Sequence, residues 1–561
     1  MSTRGSRCLT IGVDFGSESG RVLLLDLRSG EEIAAVEVRY PHGVIDSSLP
    51  EGGSELVPDT ALQDPGDYLE VLYRGIPDAL AAGGVSPEEV IGLGIDFTSC
   101  TVLPVTKDGT PLCRMDEWST RPHAWVKLWK HHAAQPVADR LNDVATARNE
   151  GFLSRYGGRL SSEWYFPKLI QVWLEDRAVY DAMYAFVEAT DWVVWHLTGS
   201  LLRASCSAGY KACWSATEGL PTQAFFEAAY PGFPDPSEKL GTQFAPPGHR
   251  AGFLRADVAA RLGLGPHVAV AVGNVDSFVS VAGAGVQEAG VFVTVVGTSI
   301  CDLVIDRSEI RMPGITGVVE NGILPGYFGY EAGQAAVGDM FAWFGDRLLS
   351  LDRAAGASGS NWYAELERGA ASIQPGESGL VALDWWNGNR TILGDADLSG
   401  VIAGLTLATT PTEIYRALLE SVAFGERRIV ENFVEHGVAI TEVVACGGIA
   451  ERSDLMMQLL ADVTKLPVTI PASSQIPARG AALFGGVAAG SERGGFDDVE
   501  TAVATLKPAT QRSFEPSPLD TSTYEDLYSV FCSLHDALGR DHVEWLHRLK
   551  QIRRTVTAGR T

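Results

Sequence analysis

IGVDFGSESGR, residues 11–21, is an apolar run that stops at Asp14, turns through Gly16, Ser17, Glu18 and Ser19, and resumes at Arg21. Taken alone it reads as a hairpin, because Asp, Gly and Ser are ordinary turn formers. Two further segments, 91–105 and 291–305, follow the same plan of a β-rich run, a small-residue turn and a second β-rich run. In the first two a second turn follows (RSGEE and TKDGT), which predicts a meander of antiparallel strands. The recurrence points to a duplicated unit.

Between these units the apolar spacing is helical. Residues 65–80, 412–433 and 454–466 each carry an apolar stripe, and 524–554 reads as a polar helical tail that packs rather than reacts. Alternating strands and helices predict α/β layers. Residues 230–248 and 374–379 read as loops from their Pro and Gly content.

At 561 residues the chain exceeds what one core sustains, so at least two domains are expected. Its 44 basic and 70 acidic residues leave a net charge of −26, which argues against a nucleic acid or an anionic membrane as main partner. An anionic substrate then needs local help from backbone amides, a metal ion or a few placed cations. The eight cysteines are scattered without a CxxC pair, a pattern that suits a reducing compartment and no structural zinc. His131 and His132 are adjacent and read as a solvated pair. The apolar stretch 8–13 is too short for a signal-peptide core, and 268–296 is broken by Asp276 and Glu288, so a cytoplasmic protein is expected.

No GxxxxGK[ST] and no GxGxxG between strand and helix is present, so a phosphate site must use another device. Three turns offer one: GSES (16–19), VGTSICD (296–302) and ACGGIAERSD (445–454). In the first two, small residues let amides and hydroxyls converge on an anion. In the third, Gly447 and Gly448 permit close approach of the backbone to a flat ring.

The sequence resembles the FGGY carbohydrate kinases, within the sugar kinase, Hsp70 and actin superfamily. The pattern Gly400, Gly404, Leu405, Glu413, Ile414, Ala417, Leu418, Leu419 and Glu420 fits that family's C-terminal signature. The likeness runs from IGVDFGSESGR to PARGAALFGG (477–486). GIDFTSCT (94–101), YGGRLSSEW (156–164), CSAGYKACW (206–214), GYEAGQAAVGDMFAWF (329–344) and LDWWNGNRT (383–391) make it strongest to the branch acting on L-ribulose. The resemblance implies two ribonuclease H-like α/β domains around a cleft, a sugar-binding one at 1–286 and a nucleotide-binding one with the helical tail at 287–561. It also implies ATP-dependent phosphorylation of L-ribulose to L-ribulose 5-phosphate in L-arabinose catabolism, with Mg²⁺, and it admits a homodimer.

Roles carried over from the resemblance are these. Asp276, in GNVDSFVS, is the catalytic base, able to accept the proton of the attacking hydroxyl. Asp14 helps hold hydrated Mg²⁺, with Gly16, Ser17, Ser19 and Arg21 around the γ-phosphoryl group. Gly297, Thr298 and Ser299 form the second phosphate turn, and Gly447, Gly448 and Ser453 the adenosine side, with Gly480 and Ala481 nearby. Ser99, Lys211 and Glu331 join Asp276 as the sugar-binding set, with Trp125, Trp164 and Trp343 as candidate pocket walls. Phe278 and Tyr210 stand where relatives commonly carry His, and Glu451 and Arg452 replace small or polar residues on the purine side. Rival readings are a kinase for D-ribulose, xylulose or a related polyol, an actin-like or chaperone ATPase, and a sugar sensor without catalysis.

Overall fold

A computed structural model describes residues 7–50, 53–349, 362–518 and 521–558. β1 (Leu9–Phe15), β2 (Ser19–Asp26) and β3 (Glu32–Arg39) form an antiparallel meander, and β4 (Val90–Phe97) lies parallel to β1 on its other side. β5 (Arg250–Phe253) and β6 (Ala269–Ala271) complete the order β5-β6-β4-β1-β2-β3, while β7 (Asn274–Val275) pairs with the end of β4. Every residue of β1 is buried, so both faces of that strand are covered. Burial on both faces is why β1 reads as a continuous apolar run and not as an alternation.

A second seven-stranded sheet repeats the wiring. It is built from β8 (Val291–Val296), β9 (Ile300–Asp306), β10 (Gly317–Glu320), β11 (Phe328–Ala332), β12 (Glu442–Cys446), β13 (Val468–Pro471) and β14 (Thr510–Phe514), in the order β10-β11-β9-β8-β12-β13-β14. The β8/β9 hairpin matches β1/β2, parallel β12 matches β4, and antiparallel β14 matches β5. These are the two ribonuclease H-like sheets expected from the sequence.

The segment 91–105 departs from its expected meander. After β4 the chain turns out of the sheet through Cys100, which sits at φ 49°, and Val102–Val105 joins a separate four-stranded sheet with Leu62–Gln63, Val126–Lys127 and Ala185–Glu188. The duplicated hairpins are therefore the first and third segments. The second supplies the parallel strand that flanks the first hairpin.

The expected boundary at 286/287 separates the strands of the two sheets but not their helices. α5 (Ile476–Ala489) lies in the second half of the sequence and packs on β1, β4 and β6 of the first sheet. A Cβ at Gly12 would sit 1.8 Å from the Ala478 carbonyl oxygen, and one at Gly94 would sit 1.9 Å from that of Ala481. Only a floor without side chains admits a helix that close. α2 (Asp276–Gly283) crosses the same helix, with the Cβ position of Gly480 only 2.0 Å from the Val279 carbonyl oxygen. Gly480 and Ala481 are thus buried packing residues at a helix crossing, which corrects the nucleotide-side role expected of them.

The second sheet is backed by α3 (Pro411–Glu435), which Thr410 and Glu413 start with a reciprocal capping box and Pro411 at the first turn. α6 (Thr521–Asp536) seals it with Tyr524, Tyr528 and Phe531 in the core. Arg416 of α3 bridges Glu420 at 2.7 Å and the Tyr524 hydroxyl at 2.6 Å. The first helix of the tail is a packing element, as its pattern suggested, whereas Val543–Ala558 leaves Trp545, Leu549, Ile552 and Val556 exposed.

Candidate active site

β1 and β4 end side by side, and their register sets Asp14 opposite Asp96. Across the β1/β2 hairpin the register sets Asp14 opposite Arg21, and the guanidinium Nη1 lies 3.1 Å from Asp14 Oδ2. The Gly16 amide closes the turn by donating to the Ser19 carbonyl at 3.0 Å. Trp129 Nε1 donates to the Ser17 hydroxyl at 3.0 Å. The Ser19 hydroxyl is committed to Glu37 of β3 at 2.8 Å, so this position offers a ligand its backbone and not its side chain.

Asp276 opens α2 directly after β7, and the Ser277 amide donates to its Oδ1 at 2.6 Å. Burial, and then the charge of Asp14, push the Asp276 carboxyl up to about 7. Asp96 was not singled out from the sequence. Burial, followed by the charges of Asp14 and Asp276, holds its carboxyl well above the ordinary range. The signal was present in the repeated Asp-Phe step of VDFG (13–16) and IDFT (95–98), which marks equivalent strand ends.

The second turn is anchored to the start of helix Gly338–Trp343. The Gly338 amide donates to the Gly297 carbonyl at 3.1 Å, and the Val337 amide to that of Thr298 at 2.9 Å. Among the described residues, the amides of Ser17, Thr298 and Ser299 make no hydrogen bond of their own. Gly447, at φ 95°, abuts the Val296 carbonyl and so brings the third turn beside the second. Arg452 folds back on this turn, its Nε donating to the Gly448 carbonyl at 2.7 Å. Ser453 caps α4 (Asp454–Thr464), and its hydroxyl also donates to Glu367 at 2.5 Å. That hydroxyl is spent on the fold, contrary to its expected place among adenosine ligands.

Lys211 ends α1 (Ser205–Lys211) in the first half, and Glu331 lies on β11 of the second. Lys211 Nζ reaches both Glu331 oxygens, at 2.9 and 2.8 Å, and both side chains are buried. Burial alone would lower the Lys211 ammonium, but Glu331 outweighs it and the pKa ends above the usual lysine value. The sugar-side set thus draws on both halves, not on 1–286 alone. The Ser99 hydroxyl is buried without a partner. Trp164 and Trp125 belong to one core cluster, Trp164 also standing 5.8 Å from the Lys211 ammonium, and Trp343 packs on Trp386.

Tyr210 is placed against the second half. Its ring is fully buried 4.4 Å from that of Phe278, in a recess floored by Gly317, Gly322 and Gly329 of the second half. Tyr210 thus helps hold the halves together, and both rings lie 5.9 Å from the Lys211 ammonium. His131 is likewise buried, paired with Gln171 at 2.9 Å, while His132 lies 3.7 Å from Glu163, so the pair is not jointly solvated. Among the described residues, no helix is long and apolar enough to cross a membrane.

Two sheets of one wiring, with acids at the strand ends of the first and glycine turns on the second, define a phosphotransferase of the sugar kinase type. Residues 292–489 match the C-terminal domain of the FGGY family of carbohydrate kinases. The chain is 50% identical to the ribulokinase of Anoxybacillus flavithermus, over 98% of each protein. It is 44% identical to that of Mycolicibacterium smegmatis, over 99% of this chain and 98% of that one. The crystal structure of a xylulose kinase from Rhodospirillum rubrum shares the fold at a TM-score of 0.77 and 23% identity, covering 96% of this chain and 100% of that one. This chain belongs to the FGGY carbohydrate kinases, and the two relatives compared above over nearly their full length are ribulokinases.

Proposed function

We propose that the chain transfers the γ-phosphoryl group of ATP to the terminal hydroxyl of L-ribulose, giving ADP and L-ribulose 5-phosphate, the kinase step of L-arabinose catabolism. The observation that carries this reading is half-identity to a ribulokinase over nearly all of both chains. The geometry supports it at each task a phosphoryl transfer sets: positioning, charge neutralisation and proton acceptance.

Asp276 is the proton acceptor. Its carboxyl, raised to about 7, matches the working range in which a base is both deprotonated and still able to hold a proton. The Ser277 amide fixes its orientation. Lys211 and Glu331 supply a donor and an acceptor in fixed positions, and Ser99 adds a hydroxyl without a partner, so sugar hydroxyls meet a set that penalises the wrong epimer. The amides of Ser17, Thr298 and Ser299 serve the phosphates from two sides, and Gly447 and Gly448 flank the purine.

The residues present fit Mg²⁺: Asp14 stands at the strand end, and the donor-free carboxylate of Asp96 lies beside it. Bound there, Mg²⁺ would neutralise charge on the β- and γ-phosphate oxygens. Because Lys211 and Glu331 come from opposite halves, closing the cleft assembles the sugar site and excludes water that would otherwise accept the phosphoryl group.

Coupled ADP release over a panel of ketopentoses and polyols tests the reading. L-Ribulose is expected to give the highest kcat/KM, and Asp276→Asn to abolish the sugar-dependent rate. Preference for D-ribulose or xylulose would move the substrate within the family, and ADP release unaffected by any sugar would overturn the reading.

A further inference from the structure

Asp96 is in register with Asp14 across the β1/β4 ladder and with Asn274, two residues before Asp276, across the β4/β7 ladder. It is 0% exposed, no amide, hydroxyl or cation donates to either of its oxygens, and its carboxyl lies against that of Asp14. A buried acid is ordinarily tolerated because amides or a cation satisfy it, and this one has neither.

Carboxyl groups outnumber cations around it. Asp14, Asp96 and Asp276 face one guanidinium, that of Arg21, which is already paired with Asp14. The Lys211 ammonium is committed to Glu331. The three side chains do not converge closely enough to cage an ion directly, which suits Mg²⁺, an ion that keeps several waters and takes few carboxylates.

We propose that Asp96 is a second carboxylate of the Mg²⁺ shell, acting with Asp14 on the hydrated ion that accompanies the nucleotide. The assignment rests on the kinase reading above. It differs from the expectation drawn from the sequence, in which Asp14 alone served the metal. The competing account is that Asp96 is a permanently protonated structural acid with no metal role.

Mn²⁺ titrated into the ADP complex, and followed by its electron paramagnetic resonance signal, separates the two. Asp96→Asn is expected to weaken Mn²⁺ binding ten-fold or more, as Asp14→Asn does, whereas Asp302→Asn in the second sheet stays within two-fold of wild type. ADP affinity in EDTA should be unchanged. Asp96→Asn should also melt above wild type in EDTA yet gain less from Mg²⁺·ADP, a reversal that a purely structural acid does not produce. Mn²⁺ held as tightly by Asp96→Asn as by wild type overturns the assignment.

Should that variant not fold, the infrared difference spectrum of wild type carrying ¹³C-carboxylate aspartate gives the answer. Loss of a protonated-acid carbonyl band on adding Mg²⁺·ADP supports the proposal, and a band that survives overturns it. Wild type that passes these tests but phosphorylates no sugar would leave the metal assignment standing and remove only the functional reading.

Discussion

The two sheets are wired alike but place their acids differently. In the first, Asp14 and Asp96 stand at the ends of adjacent strands, with Asp276 at the helix start that follows. In the second, the strand ends lead into glycine turns, and the acids lie behind the sheet. There Asp302 of β9 meets Glu426 of α3, and Gln334 Nε2 donates to Glu426 at 2.7 Å. Burial pushes Asp302 up to about 7, and burial followed by Asp302 holds Glu426 well above the carboxylate range. On the reading proposed above, one fold thus serves two tasks: strand-end acids make a reactive edge, and glycine turns make a grip. The acids themselves do not mark the reactive half, since buried, raised carboxyls occur in both.

The sharpest way to break this contrast is to exchange acid for amide on each side. Asp276→Asn should lower kcat by about 10²–10⁴-fold, the usual worth of a general base, while Asp302→Asn leaves kcat within a few-fold in the same ADP-release assay. The pH profiles should separate too. kcat/KM of wild type is expected to rise through about 7 as Asp276 ionises.

Stability runs the other way. For Asp276 and Asp302 the folded pKa lies above the unfolded value, so the neutral form favours the fold. That contribution is whole below about pH 4 and is lost as pH rises through about 7. Both Asn variants should therefore melt above wild type at pH 8 and lose the advantage at pH 4, with only Asp276→Asn changing the rate. Equal loss of rate in both would show that the back-face acids are part of the chemistry.

The Lys211–Glu331 pair joins the halves, and removing one partner strands a buried charge. Glu331→Ala should cost about 3–5 kcal/mol in denaturant unfolding. Removing both at once should cost less than the sum of the single losses, because no lone charge remains. Gly480→Ala tests whether that glycine packs or binds nucleotide. Forcing a methyl against the Val279 carbonyl should cost about 1–3 kcal/mol, with KM for ATP unchanged in whatever remains folded. The smallest effect is expected at Ser453→Ala, about 0.5–2 kcal/mol for a lost helix cap, again without a change in KM for ATP.

What the sequence made legible follows from the kind of signal. The hairpins at residues 16–19 and 297–299 are local, and their turn chemistry fixes them without long-range knowledge. Asp276, Lys211 and Glu331 came through family resemblance, since nothing in the spacing of residues 211 and 331 brings them together. Gly480 shows the limit clearly: a glycine announces that something approaches closely, but not whether it is a ligand or another helix. Tyr210 shows a related limit, because an aromatic next to a lysine in sequence looks the same whether it faces a ligand or the opposite half. The departure of Val102–Val105 from the first sheet was not legible because no glycine marks the left-handed bend at Cys100.

The seating of α5 on the glycine floor of β1 and β4 bears on how the chain is made. Synthesis runs from the amino end, so the first sheet emerges long before Ile476–Ala489, the helix that covers it. Until then one apolar face, smooth and without side chains to shield it, stays open to other nascent chains. The amino-terminal half is finished only by a helix made after six of the seven strands of the second sheet, and a message cut short upstream of residue 476 would yield a chain prone to aggregate.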